Sequence, residues 1–520
     1  MNAPRTFFFT TLLILVTAVF APASDIYIAQ NAAGGNNGAD CADAFAKSYL
    51  DTGGNWRAGN TYHLCGTFAA PSGTNGYINI GASGKNGSPI TLLFEQGAVL
   101  TSAYWSGGVI AIDGNSYITI DGGTNGIIQA TANGTNLSNQ ADNGECVTSQ
   151  SGNATNVTVQ NLTCANLYID ASPSDNGGED TYGFDIWNTS NLVIQNNTVH
   201  DVKWAIRNSY GVGSTYSNLT VTGNNIYNMD HGVFIGDSDS NGSAVMSGFY
   251  IYENSLGSMT NWDNTANNNH HDGFHLSTNS ATTRFTNFYL YNNYLYGDVG
   301  GNANGGFFSY PSGPNTESGL YVFNNLFVNT SSNHCWANGF ISLYSVGTTT
   351  LANNTFVSNT TSCKDNGIDY NNGSWGLTSQ NNILQNTPNS AVYAPSGVTV
   401  SAMDYNDYYQ SQSWFWTSNW YSTLSSWQSA SKDDTHATAN SPKLTSSYHL
   451  TDNSSAAWQT AQNLYSTCSG QPNPGLGALC SDKAGITRPT SGKWDIGAYY
   501  DSGGNSQAPN PPSGLQAVVQ

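Results

Sequence analysis

Side chains capable of chemistry crowd between residues 180 and 278: Asp185, Lys203, Arg207, Asp230, His231, Asp237, Asp239, His270, His271, Asp272 and His275. Three of the nine histidines fall in the run Asn269-His270-His271-Asp272-Gly273-Phe274-His275, and Lys203 and Arg207 are the only bases between Thr101 and Ala281. Scarce residue types gathered in one window are what a site needs, although ion pairs that only brace a fold also cluster charges.

Three chemistries suit these residue types. Glycoside hydrolysis takes a carboxylic acid for the leaving oxygen and a carboxylate to attack or to activate water. Asp230, Asp237 and Asp272 are candidates for that pair, with neighbouring histidines setting their protonation. Elimination takes a neutralised uronate carboxylate, a base for the C5 proton and an acid for the leaving group. Lys203, Arg207 or a histidine (His231, His271 or His275) is the candidate base, and Asp185, Asp237 and Asp239 are candidate oxygen ligands for calcium, the cofactor this reading implies. His270, His271 and His275 with Asp272 form a candidate set for a transition metal. Flat rings at outward or loop positions offer stacking area to sugars: Trp187, Trp204, Trp262 and Tyr310 first, then Tyr250, Tyr252, Tyr289 and Tyr291. Tyrosines on an exposed β face also serve simply to cover the sheet.

The elements that must position these residues are written in a repeat. The phrase apolar, any, apolar, any, polar or Gly, Asn, any, apolar runs from Leu192 to Val199 and returns six times, with its Asn at 197, 224, 254, 293, 325, 354 and 382. Alternation of period 2 means a strand with one buried face. The fixed Asn suits a turn, because Asn tolerates the left-handed region, and stacked copies can bond the coils above and below. Spacings of 27 to 39 residues with no helical pattern between them predict a parallel β-solenoid.

A second strand runs in phase, as Gly183-Phe184-Asp185, Ala205-Ile206-Arg207, Gly232-Val233-Phe234 and Gly273-Phe274-His275. Stacking its copies puts Asp185, Arg207, Phe234 and His275 in one outward column, Tyr182, Trp204, His231 and Asp272 in another, and Thr181, Lys203, Asp230 and His271 in a third. Neighbouring coils would stand about 4.8 Å apart, so residues distant in the chain become one patch.

Composition agrees with an exported solenoid. Met1 to Thr6, the apolar run Phe7–Phe20 and Ala21-Pro22-Ala23 read as a signal peptide covering residues 1–23, too short and wrongly flanked for a membrane span. The 56 Gly residues and only 9% charged residues call for many turns and few amphipathic helices. A formal charge of −20 argues against a nucleic-acid partner, whose phosphates need Lys and Arg. The eight cysteines form local couples, Cys41 with Cys65, Cys146 with Cys164, Cys335 with Cys363 and Cys468 with Cys480, expected as disulfides of an oxidising compartment.

The repeated rungs resemble the right-handed parallel β-helix superfamily that includes pectate lyases, alginate lyases and polygalacturonases. Asp404-Tyr405-Asn406-Asp407-Tyr408-Tyr409, Tyr421 to Trp427, Tyr448-His449-Leu450 and Trp494-Asp495-Ile496-Gly497-Ala498-Tyr499 resemble the C-terminal end of secreted bacterial β-helix proteins. The resemblance implies an all-β, right-handed parallel β-helix of about ten or more coils with short capping elements. It also implies polysaccharide chemistry, with Lys or Arg as the base of a lyase. The chain carries neither the Asn-Thr-Asp, Asp-Asp and Gly-His-Gly series of polygalacturonases nor the Arg-rich strand of pectate lyases, so no role transfers residue by residue. Lyases, hydrolases and non-catalytic adhesins share this architecture. The expected layout is a solenoid over residues 24–400, a C-terminal coil and capping region over 401–500, then a Pro/Gly-rich linker over 501–520 whose last residues resemble the first strand of a fibronectin-III-like module. The expected protein is a secreted monomer that cleaves an extracellular polysaccharide, by elimination in the leading reading, by an Asp pair in the second, and with adhesin-type binding alone as the third.

Overall fold

The computed structural model describes residues 23–172, 180–211, 213–237, 243–263, 270–313, 316–359, 366–387 and 389–501. Residues 1–22, nearly all of the segment expected as a signal peptide, Asp239, Cys363 and the tail after Asp501 lie outside them.

Among the described residues the strands form one 14-stranded and one 22-stranded sheet, and coil-to-coil pairing is parallel throughout. This is the expected parallel β-helix. The larger sheet comprises two ladders, fused where the 13-residue strands Thr198–Tyr210 and Asn225–Asp237 run through both. Each coil therefore contributes to three ladders. The first ladder carries the alternating phrase, the second follows the Asn turn, and the third carries the Gly-led strands.

The alternation places Ile194, Val221, Ile251, Leu290, Val322 and Leu351 in one fully buried column on the first ladder. Burying each such side chain contributes roughly 1.5–3 kcal/mol, and every coil covers its neighbour. The recurring Asn forms a buried chain of side chains. The Oδ1 of Asn224 accepts both the backbone N–H and the Nδ2 of Asn197 at 3.0 Å, and the pattern continues through Asn254, Asn293, Asn325, Asn354 and Asn382 to Asn406. The left-handed turn conformation falls one residue earlier than the reading of Asn as a turn former implied. Asn196, Gly223, Glu253, Asn292, Asn324, Asn353 and Asn381 have positive φ, while the ladder Asn that follows each one faces inward.

The glycine that opens the third-ladder strand has a steric cause. A Cβ on Gly273 would lie 2.6 Å from the carbonyl oxygen of Gly306 in the next coil, and one on Gly183 would collide with the carbonyl of Ala205. Backbones meet closely at this corner, and the strand behind it starts in fixed register.

At the C-terminal end a hairpin, Trp414–Thr417 with Asn419–Tyr421, and the helix Leu424–Ser431 cover the last coils, with Trp427 buried. The chain then runs back along the solenoid. Leu450, Ala457, Leu464, Trp494 and Ile496 pack on the outward rings Tyr291 and Phe323, and on Ile383, while Tyr252, Tyr289 and Tyr321 pack against the same cluster. Tyr252, Tyr289 and Tyr291, candidates for sugar stacking by sequence, are thus covered by the chain's own return segment. Disulfides join Cys41 to Cys65, Cys146 to Cys164 and Cys468 to Cys480, and Cys335 is also bonded. Among the described residues no helix is long and apolar enough to cross a membrane.

Candidate functional site

The third ladder aligns the outward columns as their phase dictates. Asp185 pairs with Arg207, Arg207 with Phe234 and Phe234 with His275; Tyr182 pairs with Trp204, Trp204 with His231 and His231 with Asp272. The result is one continuous outer face with two chemical centres.

The first centre is a groove of about 700 Å³ lined by Asn79, Glu145, Gln150, Tyr182, Trp187 and Arg207 among others. At its base the Asp185 carboxylate, fully buried, accepts from Arg207 Nε at 2.8 Å and Nη2 at 2.6 Å, from Trp187 Nε1 at 2.7 Å and from Gln150 Nε2 at 2.7 Å. Arg207 also donates to the Tyr182 hydroxyl at 3.0 Å and lies 3.9 Å above that ring. The same Gln150 Nε2 donates to Glu145 Oε1 at 2.9 Å, while Glu145 Oε2 is buried with no hydrogen-bond partner. Burial, then the Asp185 charge, push the Glu145 carboxyl up to about 7. Asp113, exposed, lines the same groove.

The second centre lies two coils further along the face. His231 Nε2, His270 Nε2 and His275 Nδ1 lie around one oxygen, Oδ2 of the buried Asp272, at 3.6, 3.0 and 3.0 Å. Behind it, His231 Nδ1 donates to Asp230 Oδ2 at 3.0 Å. The other Asp230 oxygen is 2.5 Å from His271 Nδ1, and His271 Nε2 is 2.8 Å from Asp263. Burial alone would lower the His271 pKa, but both carboxylates outweigh it and raise it to about 9. Burial opposes ionisation of Asp230 too, yet His231 and His271 hold its pKa below the ordinary value. Trp204 stacks on His231 with ring centroids 3.9 Å apart, and Phe234 and Phe308 meet His275 edge-on at 5.0 and 5.1 Å.

Several candidates take other places. His271, expected as a catalytic group or a metal ligand, is a buried cation clamped by two carboxylates, and both its nitrogens are engaged. Asp237 accepts from the Ser280 N–H at 3.0 Å and the Thr283 hydroxyl at 2.7 Å, which fixes a turn and leaves it outside both centres. Asp185 and Asp237 belong to separate hydrogen-bond networks and do not converge on a common calcium position. Asp239, the third ligand of that set, is outside the described residues. Lys203 is buried and ion-paired with Asp180 at 2.9 Å. Trp262, expected to stack on sugar, is 1% exposed and donates its ring N–H to the Asn228 carbonyl at 3.1 Å. Trp187 and Trp204 remain half-buried on the face, and Tyr310 is 52% exposed beside Phe308.

Glu145 and Asp113 did not stand out in the sequence. Glu145 occupies the coil before Tyr182 in the same column, and Val147 pairs with Phe184. Cys146 stands there in place of the corner glycine, which hides that copy of the strand. Extending the columns one coil towards the N-terminus would have exposed it.

No protein-family model matches the chain, and no curated protein matches it. Several solved structures resemble it, three of them as follows. One is the pectate lyase Pel9A, at 13% identity and a TM-score of 0.41 over 93% of this chain and 97% of that one. Another is XylC in complex with xylose, at 9% identity and a TM-score of 0.46 over 92% and 98%. The third is a rhamnogalacturonan lyase, at 15% identity and a TM-score of 0.29 over 73% and 83%. None of these likenesses carries a residue role to this chain, and the fold rests on its own strand ladders.

Proposed function

We propose that the chain is an extracellular enzyme that cleaves a uronate-containing polysaccharide lying along the third ladder, by elimination. The observation that carries this reading is Glu145: a buried carboxyl with an unpartnered oxygen, its pKa near 7, at the base of an open groove beside a guanidinium. An acid of that strength is matched to protonating a glycosidic oxygen near neutral pH. Among the described residues Arg207 is the one Lys or Arg in the groove lining. Paired with Asp185 through Nε and Nη2, it keeps its Nη1 edge, which also meets the Tyr182 hydroxyl, for a substrate carboxylate, whose charge must be offset for the C5 proton to be removable. Asp113, the exposed carboxylate in the lining, is the base. Coils about 4.8 Å apart give an extended sugar chain a repeating floor, and Trp187, Tyr182 and Trp204 supply flat rings along it. The disulfides and the N-terminal signal sequence support export.

Hydrolysis is the second reading, favoured by the same two carboxyls, with Asp113 activating water in place of taking a carbon-bound proton. The test is a screen of the purified protein against uronate-containing and neutral polysaccharides. Elimination gives products with the ultraviolet absorbance of an unsaturated uronate. New reducing ends without that absorbance would replace elimination by hydrolysis. Binding by the wild-type chain with no shortening of any polymer would leave a carbohydrate-binding protein.

A further inference from the structure

We propose that His231 Nε2, His270 Nε2, His275 Nδ1 and Asp272 Oδ2 form a binding site for one divalent cation of the zinc class, on the same face as the groove and independent of the polysaccharide reading.

Four ligand atoms from two consecutive coils lie within 4.8 Å of one another. In a tetrahedral zinc site with bonds of about 2.0–2.1 Å, neighbouring ligand atoms stand about 3.3 Å apart. The three distances from Asp272 Oδ2, at 3.0, 3.0 and 3.6 Å, straddle that edge. His270 is the ligand with most room to adjust, its side chain being 39% exposed while the other three are at most 10% exposed.

All four atoms are buried and make no hydrogen bond of good geometry, their contacts being the ion pairs with Asp272. Buried polar atoms are rarely left this way, and four gathered within 4.8 Å share one explanation. Hydrogen bonding within the cluster does not supply it. One carboxylate oxygen has two lone pairs and is approached by three ring nitrogens, so the donors outnumber the sites. A cation reverses the demand, because each neutral imidazole then offers a lone pair.

The surroundings hold the rings ready for that role. Asp230 accepts from His231 Nδ1, which leaves Nε2 as the lone-pair nitrogen facing the cluster. Asp230 is itself held by His271, and His271 by Asp263, whose oxygens accept the backbone N–H groups of Gly301 and Asn302. Carboxylate-to-histidine support of this kind orients metal ligands. Trp204, Phe234 and Phe308 form an apolar collar. Three nitrogens and one oxygen suit zinc or a neighbouring transition ion and do not suit calcium, which takes six to eight oxygens.

The test is metal binding by the full chain, stripped with chelator and dialysed into metal-free buffer. Calorimetry with Zn²⁺ and absorption spectroscopy with Co²⁺ should each report one ion per chain, the cobalt spectrum showing intense tetrahedral bands. His270→Ala and Asp272→Asn should abolish stoichiometric binding. Asp230→Asn should weaken it ~10–100-fold. His436→Ala, at an exposed histidine paired with Asp404, should leave it unchanged. Circular dichroism verifies that each variant is folded, and His270→Ala removes the most exposed ligand at least risk to folding. Failure of the folded wild-type chain to bind either ion stoichiometrically overturns the proposal. Binding unaltered by both His270→Ala and Asp272→Asn also overturns it, and Ca²⁺ displacing Zn²⁺ at equal concentration overturns the assigned class. None of these readouts needs a substrate, so failure of the cleavage reading leaves them standing.

Discussion

The asparagine ladder makes a quantitative claim about stability, and Asn293→Ala tests it at mid-ladder. The Oδ1 of Asn293 accepts the backbone N–H and the Nδ2 of Asn254, both at 3.0 Å, and its Nδ2 donates to the Ile251 carbonyl at 2.9 Å and to Asn325 Oδ1 at 3.0 Å. The Asn254, Asn293 and Asn325 side chains are at most 1% exposed, so water cannot take over these bonds without opening the coil. Four bonds at a net ~1 kcal/mol each give about 4 kcal/mol, and the buried Asn254 N–H left without a partner adds ~1–3 kcal/mol. A loss of about 5–7 kcal/mol is a large share of the ~5–15 kcal/mol typical of a folded protein. Equilibrium unfolding in guanidinium chloride, read by circular dichroism, measures it as a lowered midpoint with little change in slope. Asn79→Ala, at an exposed position, should stay within ~0.5 kcal/mol. A loss below ~1 kcal/mol for Asn293→Ala would refute the idea that the ladder's bonds, rather than the apolar columns beside them, fix the coil stacking.

The ion pair under the groove gives a second prediction. Arg207→Met leaves the Asp185 carboxylate buried without its cation and should cost ~3–5 kcal/mol in the same unfolding assay, with Arg207→Met/Asp185→Asn regaining most of that loss. Glu145 sets a pH limit: turnover should fall as pH rises through about 7 and the acid deprotonates, and Glu145→Gln should lower kcat and remove that limb of the profile. Glu317 sets a stability trend, because burial pushes its carboxyl from an ordinary 4.5 up to about 8. Between those values the unfolded chain has released the proton and the folded chain retains it, so stability falls as pH rises through the window; Glu317→Gln should flatten that slope in pH-dependent melting. Trp204→Ala should weaken substrate binding ~2–10-fold, as expected for loss of one ring contact, whereas Trp262→Phe should leave KM unchanged.

The solenoid was legible in the chain because its signal is local and repeated. Alternation over Leu192–Val199 and its copies fixes which face of the first ladder is buried, and a one-residue slip would turn every apolar side chain outward. The Asn at a constant place in each copy sets the phase, and with the phase come the columns Asp185, Arg207, Phe234, His275 and Tyr182, Trp204, His231, Asp272. Sequence alone therefore determined the fold class, the register of the third ladder, and the neighbourhood in which His231 meets Asp272.

Only the tertiary structure decided what each of those side chains does there. His270, His271 and His275 look equivalent in the chain, yet the strand that begins at His271 sends that ring inward to Asp230 and Asp263 and leaves the other two facing Asp272. Trp262 and Tyr291 look like exposed aromatics until the short helical turn Thr260–Trp262 buries one and the returning C-terminal segment covers the other. Glu145 looks like an ordinary acid until burial and the Asp185 charge raise its pKa. The physical reason is common to all of these. Period and phase are set by backbone geometry within one coil, which the sequence writes directly, while burial and charge at an outward position depend on which distant segments come to rest against it.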